Sequence, residues 1–149
     1  KKVHEIASKN NKKLVIKTHP QKNANEEEIA KQIDPTILVI KSGDILPLIQ
    51  SSSLVIVTDM STVILEAQAM KKPVISIFLR DYYGTPEPFK SNLCQRVNIS
   101  ELDKWITNII HSNDFKNQTI LNGTRFVDSY LVNQGTASES LLKFLEFKW

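Results

Sequence analysis

The clearest pattern in the chain lies near its middle, where two apolar runs flank a polar break and a helix-like apolar stretch. The first run, Leu54–Val57, is followed by polar residues 58–62, then by Val63–Met70, a basic turn with a proline, and the second run, Val74–Phe78. Uninterrupted Val, Ile and Leu runs are typical of buried parallel strands, and a helix between two such strands makes a βαβ unit. The pattern therefore predicts strand, loop, helix and strand in this order.

The same alternation extends to the rest of the first half of the chain. The end of a helix is predicted first, at 3–12. Asn25 and Glu28 have the spacing of a capping box, which predicts a helix that begins there and ends near Ile33. Asp44 is positioned to cap a short helix, Ile45–Gln50. Strands are predicted at Leu14–Lys17, Thr36–Ile40, Leu54–Val57 and Val74–Phe78, with a further short one at Gln95–Val97. We predict an α/β fold with a doubly wound parallel sheet and helices on both faces.

The second half of the chain has a different character. Leu79–Gln95 reads as a long loop, and loops of this length in a compact domain are usually functional or mobile. Three closing helices follow, the first amphipathic and opened by Ser100 with Asp103. They are predicted at Ser100–His111, Asp114–Leu131 and Thr136–Phe147. The chain contains no internal repeat or low-complexity linker, so residues 1–149 are interpreted as a single domain.

The polar break is the candidate site, because ligands of open α/β sheets bind at the carboxyl ends of strands, where helices begin. Ser61 or Thr62 can cap the helix with a hydroxyl, and the remaining backbone N–H groups and the helix dipole favour an anion.

Glu66 is unusual, since it interrupts a helix that is apolar nearly all round. Thr62 and Glu66 are four residues apart and share one face. One interpretation is that this face borders a ligand cleft, with Glu66 accepting hydrogen bonds from hydroxyls. The other is a Glu at the helix edge that is solvated or paired with Lys71 or Lys72.

The amino-acid composition argues against several classes of function. The 149 residues are 41% hydrophobic and 23% charged, with a net charge of +3 from scattered basic residues, so no nucleic-acid binding surface is indicated. The single cysteine, Cys94, excludes an internal disulfide and a multi-cysteine metal site, and no base is predicted beside it to make it a nucleophile. No apolar run approaches the length of a membrane span.

Several motifs together resemble the C-terminal half of GT-B glycosyltransferases, which is a Rossmann-like domain that binds a nucleotide-linked sugar. The pattern is also similar to CDP-glycerol glycerophosphotransferases of teichoic-acid synthesis and to UDP-N-acetylglucosamine 2-epimerases. The residues that carry the resemblance are Lys17-Thr18-His19-Pro20, Asp44 to Ile49, Ser53 to Ala67, Lys72-Pro73-Val74-Ile75, and Tyr130-Leu131 with Gly135 to Glu139.

The resemblance implies roles for individual residues. Carried over by position, the candidate catalytic residue near the transferred group is His19. The diphosphate is contacted by Ser61, Thr62 and Arg80, and the ribose hydroxyls are held by Glu66. The base is lined by Asp44, Ile45 and Leu46. It also implies no metal and no cofactor, since the UDP- or CDP-type donor is itself a substrate.

The chain departs from this pattern in three places. The strand that precedes the first helix of the family's domain is absent, and in the usual strand order it is central to the sheet, so we expect either a truncated chain or another segment in its place. The N-terminal acceptor domain, which often supplies the general base, is absent too, so we expect a fragment that is unable to catalyse alone. The loop at Ser61 also lacks the paired glycines of the epimerases.

Three functional hypotheses follow. The first is the donor-binding domain of a glycosyltransferase in cell-surface polysaccharide synthesis, cytoplasmic or peripheral at the inner membrane face, with any membrane association supplied by the missing part. The second is a glycerol- or ribitol-phosphate transferase in which His19 acts at the attacked phosphorus. The third is a regulatory or binding domain that keeps the fold without the chemistry.

Overall fold

The fold contains short parallel strands, and each lies where an apolar run in the sequence predicts a strand. The computed structural model describes residues 1–19, 25–79 and 94–146. The strands are β1 (Val15–Lys17), β2 (Leu38–Ile40), β3 (Val55–Thr58), β4 (Val74–Ile77) and β5 (Gln95–Val97). The positions of the strands were therefore predicted correctly from the sequence.

Helices alternate with the first four strands and then close the chain. They are α1 (Lys2–Lys9), α2 (Glu26–Ile33), α3 (Leu46–Ser51), α4 (Val63–Ala69), α5 (Leu102–His111), α6 (Asn113–Tyr130) and α7 (Ala137–Glu146), with a 3₁₀ turn (Ile99–Glu101) before α5. The predicted helices are confirmed to within a few residues at each end. Most of the predicted loop 79–95 lies outside the described residues.

The strands form two parallel sheets, whereas the sequence predicts one. β1 pairs with β2, with Val15 opposite Leu38, and β3, β4 and β5 form a second sheet in which Val55 lies opposite Val74. Within residues 1–19, 25–79 and 94–146, no strand pairs with both β1 and β3, so the sheets stay separate. The α/β class and the parallel pairing are confirmed, and the arrangement is compatible with a Rossmann-like fold.

Helices cover both faces of the three-stranded sheet because the side chains of its strands alternate between two apolar clusters. The α3–α4 core comprises Ile49, Val57, Ile64, Ala67, Val74, Phe78 and Cys94. The α1–α5 core comprises Ile6, Ile75, Ile77, Val97, Leu102, Ile106 and Ile109. Strand β4 contributes to both clusters and is buried along its whole length.

Helix α6 packs closely on α4 through a glycine. A Cβ atom built at Gly123 would lie 2.8 Å from Cγ of Gln68, whose side chain is itself buried. This distance is too short for a real contact, so the close approach of the two helices requires glycine at this position.

The starts of α2 and α5 are capped differently from the prediction. Asn25 makes no side-chain capping bond to α2, although Glu28 follows at capping-box spacing. The capping box forms instead at Asn98 and Glu101, two residues ahead of the predicted start at Ser100. Spacing alone does not select between such sites, because the flanking chain must also be extended at the cap.

Shortening a core side chain in β4 is expected to destabilise the chain. Ile75 is fully buried, so Ile75→Val should lower the free energy of unfolding by about 1 kcal/mol. The matched control is Ile29→Val on α2, where the side chain is 55% exposed and the change should be within about 0.5 kcal/mol. Urea unfolding of both variants measures the difference, and equal values would contradict the assignment of β4 to the core.

Candidate functional site

The candidate residues lie in two groups, one on each sheet. Ser61, Thr62 and Glu66 follow the carboxyl end of β3 and belong to the start of α4. His19 follows β1, and 44–46 follow β2 at the start of α3. Each described candidate is thus placed after the carboxyl end of a parallel strand, which is where open α/β sheets bind ligands. Arg80 lies outside the described residues.

Ser61 provides the polar cap of α4. Its hydroxyl accepts a hydrogen bond from the backbone N–H of Val63 at 3.3 Å, whereas the Thr62 side chain is exposed and makes no capping bond. The carbonyl of Thr62 accepts from the N–H groups of Leu65 (3.0 Å) and Glu66 (3.4 Å), which closes the first turn. Of the two predicted caps, Ser61 is therefore the one that uses its side chain.

Glu66 lies half-buried on the first turns of α4. Its carboxylate has no hydrogen-bond or ion-pair partner in the part of the chain that the structure describes. Pairing with Lys72 is not observed, since the Lys72 ammonium donates to the carbonyls of Gln50 (2.5 Å) and Ser52 (3.2 Å). No ion pair joins Glu66 to Lys71 within the described ranges either.

Asp59 fixes the loop between β3 and α4. Its backbone is left-handed (φ 51°), its N–H donates to the carbonyl of Ile77 at 2.9 Å, and its carboxylate accepts from the N–H of Leu79 at 2.9 Å. The buried Ser76 hydroxyl donates to the Asp59 carbonyl at 2.7 Å. These bonds tie the carboxyl ends of β3 and β4 together.

The sequence allows two interpretations of Asp59, a partner that orients the loop and an ordinary turn residue, and favours the second, whereas the observed bonds agree with the first. The available signal was an Asp directly after a strand, because Asp tolerates a left-handed backbone and accepts local N–H bonds.

The other group of candidates surrounds the ends of β1 and β2. The Lys17 ammonium donates to the carbonyls of Thr18 (3.0 Å) and Lys41 (3.2 Å) and so joins the segments that follow the two strands. His19, directly after Thr18, is exposed. Asp44 is exposed too, and its carboxylate accepts from the N–H of Leu46 at 3.0 Å, which confirms that it helps to open α3.

The other two predicted base-lining residues differ in environment. Leu46 is 44% exposed, whereas Ile45 is half-buried and packs against the α3–α4 core. A side chain committed to the core has less surface to offer a ligand, so Leu46 is the better placed of the two to contact one.

Two depressions among the described residues are lined by residues other than the candidates. A small cavity of about 80 Å³ lies beside Trp105 and Phe115, whose ring centroids are 5.0 Å apart. A shallow depression of about 640 Å³ runs along α2 beside Glu27 and Lys41, which form an ion pair of 2.7 Å. The cavity beside Trp105 is far smaller than ligand pockets, whose volumes are at least roughly 300 Å³. The depression along α2 is an open surface.

Metal and membrane features were also sought in residues 1–19, 25–79 and 94–146. No group of three or more His, Cys, Asp or Glu side chains there is arranged to hold a metal ion. None of the helices in these ranges combines the length and the apolar character needed to cross a bilayer.

Cys94 belongs to the α3–α4 core and is 2% exposed. Burial raises the pKa of its thiol to about 12, because the thiolate is poorly solvated there. A thiol in this state is a weak nucleophile, in agreement with the sequence interpretation.

Comparison with known proteins identified no relative of this chain. No family model matches the chain, and neither a curated protein nor a solved structure matches it at a significant level.

Removing the Asp59 side chain is expected to loosen the end of β4. Asp59→Ala loses the bond to Leu79 N–H and keeps a strained left-handed backbone, so the free energy of unfolding should fall by roughly 1–3 kcal/mol. Asp59→Asn is the matched control and should lose less, because its amide oxygen can accept the same bond. Amide hydrogen exchange at Leu79 reports the bond directly, and unchanged exchange in Asp59→Ala would show that the carboxylate does not hold this end.

Cys94 should react only when the chain unfolds. At pH 8 a thiol with a pKa of about 12 carries very little thiolate, so alkylation by iodoacetamide should be at least about 100-fold slower in the native chain than in urea. Mass spectrometry of samples quenched over time measures both rates. Comparable rates would place Cys94 at a reactive, accessible position.

Proposed function

We propose that this chain is the donor-binding domain of a GT-B-type glycosyltransferase, a metal-independent transferase of cell-surface polysaccharide biosynthesis. The nucleotide-linked sugar binds beside Ser61 and Glu66, where β3 leads into α4. The proposal takes its family from the sequence resemblance, and the local geometry is compatible with it.

The observation that carries the proposal is the state of the Glu66 carboxylate. It is half-buried and without a partner among the described residues, although partial burial makes an unpaired carboxylate costly. The 2′- and 3′-hydroxyls of a ribose supply two neighbouring hydrogen-bond donors, which one carboxylate can accept together. A ribose at Glu66 thus satisfies a group that the protein itself leaves unsatisfied.

Ser61 lies five residues before Glu66, just ahead of α4, and in this proposal the diphosphate extends from the ribose at Glu66 toward the Ser61 hydroxyl. The Ser61 oxygen already accepts from Val63 N–H at 3.3 Å and keeps its own proton to donate to a phosphate oxygen. Thr62 offers an exposed hydroxyl beside it. We assign Arg80 to the phosphates and His19 to the transferred sugar, as the resemblance implies.

The reaction in this proposal is displacement at the anomeric carbon. An acceptor oxygen forms a bond to that carbon while the bond from the carbon to the phosphate oxygen breaks, and its electron pair leaves with the nucleoside diphosphate. Hydrogen bonds to the leaving phosphate stabilise the developing charge. The acceptor and the group that takes its proton belong to a second domain, so we expect the 149-residue chain to bind the donor without turning it over.

This function places the chain in the cytoplasm, where nucleotide-linked sugars are supplied. Association with the inner face of the membrane would come from the acceptor domain, and no nucleic acid takes part.

Nucleotide titration tests the proposal. UDP, CDP, GDP and ADP are each added to the chain while amide NMR shifts are followed, and saturable shifts at 61–66 are expected with one preferred base. Glu66→Ala should weaken binding of that nucleotide by roughly 10- to 100-fold, because hydrogen bonds to a charged group contribute about 1.5–3 kcal/mol. Glu5→Ala, at an exposed position on α1, is the matched control and should leave the affinity unchanged.

The outcomes separate the hypotheses. Preference for UDP supports a sugar donor, whereas preference for CDP with shifts centred on His19 would replace the proposal with a polyol-phosphate transferase. Absence of binding in a chain with a native-like spectrum would overturn the proposal and leave a binding or regulatory domain. Equal affinity of Glu66→Ala and the unsubstituted chain would remove Glu66 from the site.

A further inference from the structure

The small cavity beside Trp105 and Phe115 opens at the amino ends of β4 and β5. Val74 and Gln95, which begin these strands, line it together with residues of α5 and α6. Because the strands are parallel, this edge of the sheet lies opposite to the carboxyl end of β3, which Ser61 follows. We call the cavity the amino-edge pocket. Its volume of about 80 Å³ has room for several water molecules, so it fits one substituent of a ligand that lies mostly outside it.

Part of the lining of the amino-edge pocket is apolar. Val74 is 2% exposed, and the half-buried rings of Trp105 and Phe115 have centroids 5.0 Å apart with their planes at 57°. Both rings pack against the α1–α5 core, which holds them in place. A methyl group that lies against these side chains leaves water for an apolar surface, and this transfer is favourable.

The polar part of the lining consists mainly of amide side chains. Nε2 of Gln118 donates to Oδ1 of Asn122 at 2.9 Å across one turn of α6, and Nε2 of Gln95 donates to the carbonyl of Arg96 at 3.0 Å. Within the described part of the chain, Asn122 therefore keeps its two N–H donors for a ligand. Gln95 and Gln118 keep their side-chain oxygens as acceptors.

The described residues that line the pocket carry no charge. The remaining one, Thr119, uses its hydroxyl to donate to the carbonyl of Phe115 at 2.9 Å. A phosphate, a carboxylate or an ammonium group would lose water here without gaining an opposite charge. The group that fits is therefore neutral, and it has a hydrogen-bond donor and an acceptor next to an apolar part.

We propose that the amino-edge pocket holds the acetamido group of an N-acetylated sugar in a glycan chain. The methyl of this group contacts the Trp105 and Phe115 rings, and its carbonyl accepts a hydrogen bond from Nδ2 of Asn122. Its N–H donates to the side-chain oxygen of Gln118 or Gln95. An acetamido group is neutral and small and carries one donor, one acceptor and one methyl, which are the features that the lining matches.

The sugar ring that carries the acetamido group lies at the mouth of the pocket. Its hydroxyls both donate and accept and so suit the amide side chains, and its C–H groups can pack on an aromatic ring. The site goes beyond the proposed function and does not rest on it, because it shares no residue with the site at Ser61 and Glu66 and takes no phosphate. It holds a glycan chain, whereas the site after β3 takes the nucleotide-linked sugar.

The test compares two neutral disaccharides by amide and side-chain NMR. The probe is the β-1,4-linked dimer of N-acetylglucosamine, and the control is the β-1,4-linked dimer of glucose, which has hydroxyls in place of both acetamido groups. We expect saturable shifts at the Trp105 indole N–H and at the side-chain amides of Gln118 and Asn122 with the N-acetylated dimer. The glucose dimer should bind at least about tenfold more weakly, because it offers neither the methyl nor the amide.

A matched pair of variants on α6 tests the role of Asn122. Asn122→Asp has nearly the same shape but replaces both N–H donors by an acceptor, so it should weaken binding of the N-acetylated dimer by about tenfold or more. Asn117→Asp makes the same chemical change at an exposed position on the same helix outside the pocket, and it should leave the affinity unchanged. Backbone amide shifts away from α6 show whether each variant keeps the native fold, and the comparison of the two disaccharides needs no variant.

The other outcomes each overturn the proposal. Equal affinity for the two dimers would show that the acetamido group is not recognised. Shifts at 61–66 in place of the pocket residues would assign the sugar to the site after β3. Equally tight binding of a peptide with an acetylated lysine would make the acetyl group, and not a glycan, the recognised feature. A failure of UDP, CDP, GDP and ADP to bind would reject the proposed function and leave the result with the disaccharides standing.

Discussion

Strand β4 is covered on both edges and both faces, and the described fold is arranged around that burial. Its edges pair with β3 and β5, while its side chains alternate between the α3–α4 and α1–α5 cores. Every polar group on such a strand needs a partner inside the protein, because water does not reach it. The Ser76 hydroxyl donates to the carbonyl of Asp59. Because the buried hydroxyl needs this partner, the hydrogen bond also fixes the backbone at the end of β3.

The sequence predicted the strands well because their signal is local. Short runs of Val, Ile and Leu bounded by polar turns leave few alternatives, and all the strand runs form strands. Caps were predicted less well, since the Asn-x-x-Glu spacing occurs at Asn25 and at Asn98 and only the second closes a capping box. The division into two sheets and the close packing at Gly123 depend on contacts between distant segments, which no local pattern encodes.

The candidate site was predictable in position and less so in its contacts. Placement after the carboxyl ends of strands follows from the parallel pairing, and Ser61 and Glu66 are found there. The choice between Ser61 and Thr62 as the cap depends on backbone angles that the sequence does not contain. Asp59 takes part in three short hydrogen bonds that its place in the sequence does not reveal, because turns with and without such bonds use the same residue types.

The separation of contacts along the chain has a consequence for the order of folding. Strand β3, helix α4 and strand β4 are consecutive, so their contacts close only a short loop, whereas the contact between α1 and α5 joins Lys9 to Asp103 across 94 residues. Closing a longer loop costs more chain entropy before any contact compensates for it. The central βαβ unit is therefore suited to act as the folding nucleus, with α1 docking late and completing the α1–α5 core.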